Sequence, residues 1–494
     1  MNEITLPVSE LKTALHGLGK IVSRKTSLPV LQNVKVSRQR NGQVTLQATD
    51  LDAFATYTLT GTQSGPATEV LMPFEQLNKA FKCSGPKDEV ALICDGKEAK
   101  LRYTIAGSPV YQPVTLTKVD EWPPLPEIKV NSFKLDAEFG PALKQALESC
   151  SDDPSRYVLR GACLDVTDTK CHYVVGTNGR ALFSANSFTF PIKKSVIIPD
   201  SKFLAAGDLL DEEPCYLSVQ PGKDKHSTSQ VCLHNARWQF ITREIDGKYP
   251  NWRQVVPITN GRWTLVKLNP SAVSQLLQVI PRLPGNDGIN CPVRLRIEKC
   301  LWAEGRDEND KEWTKIAVSD VVVTGKPQTI QLNRNYLLQA LKFGLDEFAV
   351  EDELSPLVFN KAGKKFIIMP VNPHSPAATQ TPSSQPAATR PAATPQTSPT
   401  TTKAPVSNPA PTEERKTEMP KATTKTEPSQ PTETSTTVSL IDQVERVKET
   451  LKNVIRDLIA VIDAVKLAEK EKRASEKEVE AARATLKKLQ QVSL

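Results

Sequence analysis

The sequence lacks the common signatures of catalysis. Its 494 residues contain no GxxxxGK[ST] loop, no GxGxxG and no GxSxG, so nucleoside-triphosphate, dinucleotide and serine-hydrolase chemistry have no motif to stand on. The five histidines are scattered and none falls in HExxH spacing. Cysteines occur at 83, 94, 150, 163, 171, 215, 232, 291 and 300, an odd number with no CxxC pair. That pattern reads as reduced, buried thiols of a cytoplasmic protein, not as a disulfide framework or a zinc site. No cofactor and no metal are expected, and the chain does not read as an enzyme. No apolar run reaches about 18 residues, so no membrane span is expected. The opening MNEITLPVSE is polar and acidic and does not read as a signal peptide. The paired acids Asp50/Asp52 and Asp152/Asp153 sit beside turn signals and read as turn and cap residues.

What is present is unevenly distributed. The 38 prolines are too many for a uniform globular chain, and they concentrate in residues 372–437, which are dominated by Pro, Thr, Ser and Ala. Such a stretch buries too little apolar surface to fold and reads as a disordered, partly extended linker. Residues 438–494 have almost no Pro or Gly and read as one long helix. Val444, Leu451, Leu458 and Val465 recur every seven residues, which supports a coiled coil of unspecified strand number. Residues 1–371 have ordinary globular composition. There, 45 Lys/Arg against 41 Asp/Glu leave only +4 of the chain's +7. If this body binds a polyanion, its basic residues must gather on one face.

The body repeats itself. Strands lead into short amphipathic helices at six places: ITLPVSELKTALHGLGKIV, VLMPFEQLNKAFK, FKLDAEFGPALKQALES, VIIPDSKFLAAGDLL, LVKLNPSAVSQLLQVI and IQLNRNYLLQALKF. Leu11, Leu15 and Leu18 share one face of the first helix, and Leu337, Leu338 and Leu341 one face of the last. Segments between helices alternate apolar and polar, as in QVTLQATDLDAFATYTL, and read as antiparallel strands. A longer period shows in DEWPPLP at 120–126 and DGKYPNWRQVVP at 246–257. The fold class is therefore α+β, with three units of two β-α-β-β-β half-units each. Their bounds fall at 1–127, 128–258 and 259–371.

Several stretches carry a family resemblance. TSLPVLQNVKV and ATDLDAFA in the first unit, SRYVLRGACLDV, VVGTNGRALF and DGKYPNWRQVVP in the second, and YLLQALKF with LSPLVFNKAGKKFIIMPV in the third agree in order and spacing with one family. Residues 1–371 resemble, end to end, the bacterial DNA polymerase III beta subunit. The resemblance implies three tandem clamp domains and a head-to-tail homodimeric ring, with helices inside and sheets outside. Twelve helices side by side, each about 10 Å wide, give a circumference of about 120 Å and a clear hole of roughly 28 Å, which admits a duplex. The implied function is that of a DNA sliding clamp, a processivity factor that encircles double-stranded DNA. Its implied partners are polymerase and clamp-loader subunits carrying short linear motifs. A clamp-like scaffold that does not encircle DNA and acts through the coiled coil is the alternative.

The resemblance also assigns residues. Lys20, Arg24, Lys25, Arg156, Tyr157, Lys202, Arg253 and Gln254 are the candidate DNA contacts: cations for sequence-blind phosphate binding, and a tyrosine able to stack on a base. Glu75 and Asp200 stand where the family often places basic residues. Leu159, Thr177, Gly179, Leu182, Pro250, Val255, Pro356, Met369 and Pro370 match an apolar partner cleft, with rigid Pro and Gly walls and an adaptable Met and Leu floor. Arg180, Ala181 and Asn372 depart from the family's pattern there. The chain's last residues, Gln491, Val492, Ser493 and Leu494, echo four positions of the family's partner motif. They give the tail a candidate role as an occupant of a cleft.

Overall fold

Six times along the chain a strand runs into a helix and a set of antiparallel strands follows. The computed structural model describes residues 2–371 except 24, 96–97, 207–208, 223–226, 260–261, 287–289 and 308–309. The chain divides into two units, Met1–Gln385 and Pro386–Leu494, and every described residue belongs to the first. The expected linker, coiled coil and C-terminal motif lie outside the described residues.

The first half-unit is β1 (Asn2–Pro7), α1 (Val8–Leu18), β2 (Asn33–Arg38), β3 (Gln43–Thr49) and β4 (Ala53–Thr62). The second is β5 (Thr68–Pro73), α2 (Phe74–Cys83), β6 (Glu89–Asp95), β7 (Glu98–Ile105) and β8 (Ser108–Val114). The third is β9 (Phe133–Lys134), α3 (Phe139–Glu148), β10 (Gly161–Asp165), β11 (His172–Thr177) and β12 (Ala181–Phe188). The fourth is β13 (Val196–Pro199), α4 (Lys202–Ala206), β14 (Tyr216–Gln220), β15 (Gln230–His234) and β16 (Trp238–Arg243). The fifth is β17 (Thr264–Leu268), α5 (Pro270–Val279), β18 (Pro292–Ile297), β19 (Leu301–Gly305) and β20 (Thr314–Val318), with an added strand β21 (Val321–Thr324). The sixth is β22 (Gln328–Asn333), α6 (Arg334–Lys342), β23 (Glu347–Val350), β24 (Leu357–Lys361) and β25 (Lys364–Ile368).

The strands form four antiparallel sheets. Their orders are β1-β6-β7-β8, β5-β2-β3-β4-β16-β15-β14-β9, β13-β10-β11-β12-β25-β24-β23-β17-β21 and β20-β19-β18-β22. The strand before each helix joins the three strands of the other half-unit, so paired half-units are laced together. The two long sheets form by one rule. The last strand of a unit's first half pairs with the last strand of the next unit's second half: β4 with β16, and β12 with β25.

Strand alternation gives each long sheet two faces. On one face, Ala162, Leu164, Val174, Phe183, Phe366 and Ile368 join the helix faces in one continuous core, with Leu11, Leu15 and Leu18 of α1 all buried. Helix α3 settles so closely on β11 that a side chain on Gly176 would collide with the Ala146 carbonyl. The alternate residues Cys163, Val175, Leu182, Ile197, Val358 and Ile367 build a second cluster on the opposite face. There the chain between β16 and β17 lies across the sheet as a strap, packing Tyr249, Trp252, Val256 and Trp263 onto it. A corresponding strap after β8 sets Ile128 on Phe54, Cys232 and Ile241, and its Trp122 indole donates to Gln47 Oε1 at 2.8 Å.

The expectation of buried thiols holds for only part of the set. Cys163, Cys215 and Cys232 are buried, Cys83 is exposed at the solvent end of α2, and the other five are half-buried. Burial pushes the Cys232 thiol up to about 12. Asp50 and Asp153 do the turn and cap work expected of them: Asp50 Oδ1 accepts from the Ala53 and Asp52 amides, and Asp153 Oδ1 from that of Ser155.

Asp165 fastens the second strap. Its Oδ2 accepts from the Trp252 indole at 2.7 Å and pairs with the Arg253 guanidinium, while Oδ1 accepts from the Thr167 hydroxyl at 2.6 Å and amide at 2.9 Å. Arg253 also stacks over the Trp252 and Tyr173 rings at 4.6 and 5.0 Å. Burial pushes the Asp165 carboxyl up. The hydrogen bonds from Thr167, Trp252 and Arg253 outweigh it and hold the carboxyl below its ordinary value. Such a depressed carboxylate stabilises the fold fully above the unfolded value of about 3.9, and that contribution is lost as pH falls through the lower folded value. Removing the acceptor with Asp165→Ala is expected to cost about 2 kcal/mol, since charge-assisted hydrogen bonds are lost in a buried place. Asp165→Asn is expected to flatten the acid-side fall in denaturation midpoint relative to the parent. Identical acid profiles for parent and Asn variant, followed by tryptophan emission, would show that this carboxylate does not hold the strap.

Candidate partner cleft and nucleic-acid face

The turn joining β11 to β12 is built from TNGRA. The Thr177 hydroxyl donates to the Ala181 carbonyl at 2.6 Å and accepts from the Gly179 amide at 3.1 Å. Asn178 Oδ1 accepts from the Arg180 and Ala181 amides at 2.9 Å each. Gly179 has φ +83°, a conformation that favours glycine, and a Cβ there would meet only the movable end of Arg156, Nη1 at 2.8 Å. The Arg180 carbonyl accepts from the Met369 amide at 2.9 Å. Registers Leu182↔Ile367 and Leu357↔Ile368 bring Pro356 level with Met369 and Pro370.

The sheet therefore gathers most of the expected cleft residues. Thr177 and Leu182 face each other across the turn and are buried, as is Leu159, whereas Met369 and Val255 stay 43% and 51% exposed. Pro250 and Val255 are carried by the strap, and Pro250 also lines an open groove of about 1040 Å³ together with Asp165, Asp168, Lys193, Lys194 and Lys248. Sequence reading missed Trp252, Tyr249 and Asp165. The acid–aromatic–proline order of the two boundary segments was the available signal, but it marked a boundary and gave no sign that the segment crosses a sheet.

The three outer sheet faces are built on one register and differ in chemistry. Pairings Lys35↔Gln47↔Thr56, Cys163↔Val175↔Ser184 and Arg294↔Glu304↔Lys315 occupy corresponding places. The first set is polar, with the Gln47 amide donating to Thr56 Oγ1 at 3.0 Å. The third is charged: Glu304, fully buried, bridges Arg294 and Arg296, and Arg294 lies 3.8 Å from the Trp313 ring centroid. The second is mostly apolar, Cys163 and Val175 beside Ser184, and of the three sets it is the one that suits an apolar anchor.

The expected DNA contacts separate into three groups. Lys20 and Lys25 are exposed beyond α1, and Lys202 is exposed at the start of α4; Arg24 lies outside the described residues. Arg156 donates to the Asn178 carbonyl and pairs with Asp153, while Tyr157 lies against Gly247. Arg156 thus borders the turn between β11 and β12. Arg253 and Gln254 depart from expectation. They sit on the strap, on the sheet face opposite the helices, and Arg253 is committed to Asp165. On the helices, Lys12, Lys79, Lys82 and Lys342 are exposed against Glu75 and Glu148, a modest basic excess. Burial raises the Asp200 carboxyl, and neighbouring Asp152 adds to the rise. No described helix is long and apolar enough to cross a membrane.

No family model matches the chain. It is 24% identical over 385 residues to the beta sliding clamp of Synechococcus elongatus, covering 74% of this chain and 97% of that one. It is also 24% identical over 376 residues to the beta sliding clamp of Haemophilus influenzae, covering 71% and 94%. Among solved structures, the Caulobacter crescentus beta sliding clamp aligns with TM-score 0.64 at 19% identity, over 75% of this chain and 99% of that one. The Bartonella birtlesii sliding clamp, solved with griselimycin bound, aligns with TM-score 0.63 at 22% identity over the same shares. Along three quarters of its length, the chain has the fold of the bacterial DNA polymerase III beta subunit, the beta sliding clamp.

Proposed function

We propose that the chain is a DNA sliding clamp: a non-enzymatic, ring-forming processivity factor that encircles double-stranded DNA in the cytoplasm and docks polymerase and clamp-loader subunits through the Leu182–Met369 cleft. The observation that carries this reading is the pair of strand edges left over. The junction rule joins β4 to β16 and β12 to β25. The only last strands it leaves without a junction partner among the described residues are β8, in a second half, and β20, in a first half. These are complementary types. A second copy supplies each missing partner, and two copies joined head to tail close into a ring with two identical junctions. The helices, with their small basic excess, then share one side of the assembly. A weak charge suits a ring that holds DNA by topology, because tight phosphate binding would impose friction and a steep salt dependence.

Ring loading has a direct readout. Protein loaded on nicked circular DNA is expected to remain bound through gel filtration and to be lost when the circle is linearised. Equal retention on both forms would replace encirclement with ordinary DNA binding. For the cleft, Met369→Ala combined with Val255→Ala is expected to weaken a short partner-motif peptide by about 2 kcal/mol, roughly thirtyfold in Kd, with ring assembly intact. Unchanged peptide affinity would place the docking site elsewhere.

A further inference from the structure

The strand offered for ring closure differs from its two counterparts inside the chain. β8 follows β7 through a two-residue turn, Ala106 and Gly107 with φ +47° and +81°, and Ile105 faces Ser108. β25 follows β24 through the same turn, Ala362 and Gly363 with φ +48° and +77°, and Lys361 faces Lys364. In such a hairpin the residues flanking the turn exchange both backbone bonds, so the next residue along, and every second one after it, points its N–H away from the hairpin. On β25 those residues are Lys365 and Ile367, followed by Met369, and the Met369 amide does donate across the junction to Arg180. On β16 they are Gln239, Ile241 and Arg243, and the Arg243 amide donates to Asp52 at 3.3 Å. On β8 the same places hold Pro109, Tyr111 and Pro113. Two of the three outward donors are absent, since proline has no N–H.

The internal junctions also fix the register of a third. Thr56↔Gln239 and Ser184↔Lys365 are equivalent, as are Phe54↔Ile241 and Leu182↔Ile367. Carried to β20 through Glu304↔Lys315, they set Lys315 opposite Pro109 and Trp313 opposite Tyr111. Tyr111 is 57% exposed, as a residue awaiting such a partner would be.

We propose that the junction between two copies of this chain is held chiefly by a Tyr111–Trp313 side-chain pair across a donor-poor ladder, making it a weak, reversible seam compared with a ladder having all three donors. The proposal rests on the ring reading above. The test is sedimentation of the full chain over a concentration series, with parent, the Pro109→Thr/Pro113→Thr double variant and Tyr111→Ala. Restoring two donors is expected to tighten dimerisation on the order of tenfold or more, and Tyr111→Ala is expected to weaken it about tenfold. A dimerising parent whose threonine variant is no tighter overturns the donor argument. A dimerising parent unaffected by Tyr111→Ala overturns the register. A parent that stays monomeric at all concentrations, with both variants, overturns the ring reading itself. Should the double variant misfold, Pro113→Ala alone is expected to shift the same constant in the same direction, and no shift overturns the proposal.

Discussion

The structure depends on the need of an antiparallel strand edge for a partner. A row of unpaired N–H and C=O groups is a standing template for association, and a protein must pair, cover or blunt it. Here most half-sheets end in a strand that is paired with the matching strand of the next unit. Each such pairing builds a long sheet, turns one face of it toward the helices, and leaves the other free for the strap that leads onward. The candidate cleft follows from this arrangement, because Leu182 stands opposite Ile367 at a junction and the strap carries Pro250 and Val255 across the same sheet.

Duplication and divergence can be separated at this level. The turn TDLDA after β3 repeats the bonds of TNGRA after β11. Thr49 donates to the Ala53 carbonyl, and Asp50 accepts the Ala53 amide, as Thr177 and Asn178 do for Ala181. Leu51 holds φ +82° where Gly179 holds +83°, so the first copy keeps the conformation even with a side chain that resists it. What diverges is the outer face beside the turn. Lys35 and Gln47 make it polar in the first copy, Cys163 and Val175 make it apolar in the second, and Arg294 and Glu304 make it charged in the third. Backbone geometry was repeated, while side-chain chemistry was varied from face to face.

Much of this was legible in the sequence. Helix spacing in Leu11, Leu15 and Leu18 and alternation in the strands are local signals, and the six strand–helix units follow from them. The lacing of each pre-helix strand into the other half-unit was not legible, because pairing β1 with β6 rather than β2 depends on contacts more than 80 residues apart. Of the candidate site, Thr177, Leu182 and Met369 lie at one junction, that of β12 with β25. Arg253 illustrates the limit. A lone arginine after Trp252 has the same composition whether it faces a phosphate or Asp165, and the choice is made by which side of a sheet the strap crosses. The part of the chain beyond Val371 lies outside the described residues, so the heptad pattern stands on sequence alone.

Edge protection and ring closure make opposite demands on β8. In a single chain its outer edge faces solvent, and prolines at outward positions keep it from pairing indiscriminately while leaving the inner ladder to β7 intact. The same positions would supply donors to a second copy. Pro109 and Pro113 therefore shift any association there from backbone bonds, which any extended strand can satisfy, toward side chains such as Tyr111, which only a matched surface can meet. Specific pairing is favoured over general stickiness, and the cost is strength. If two copies close into the ring proposed above, a seam selective in partner and modest in affinity lets that ring open and close.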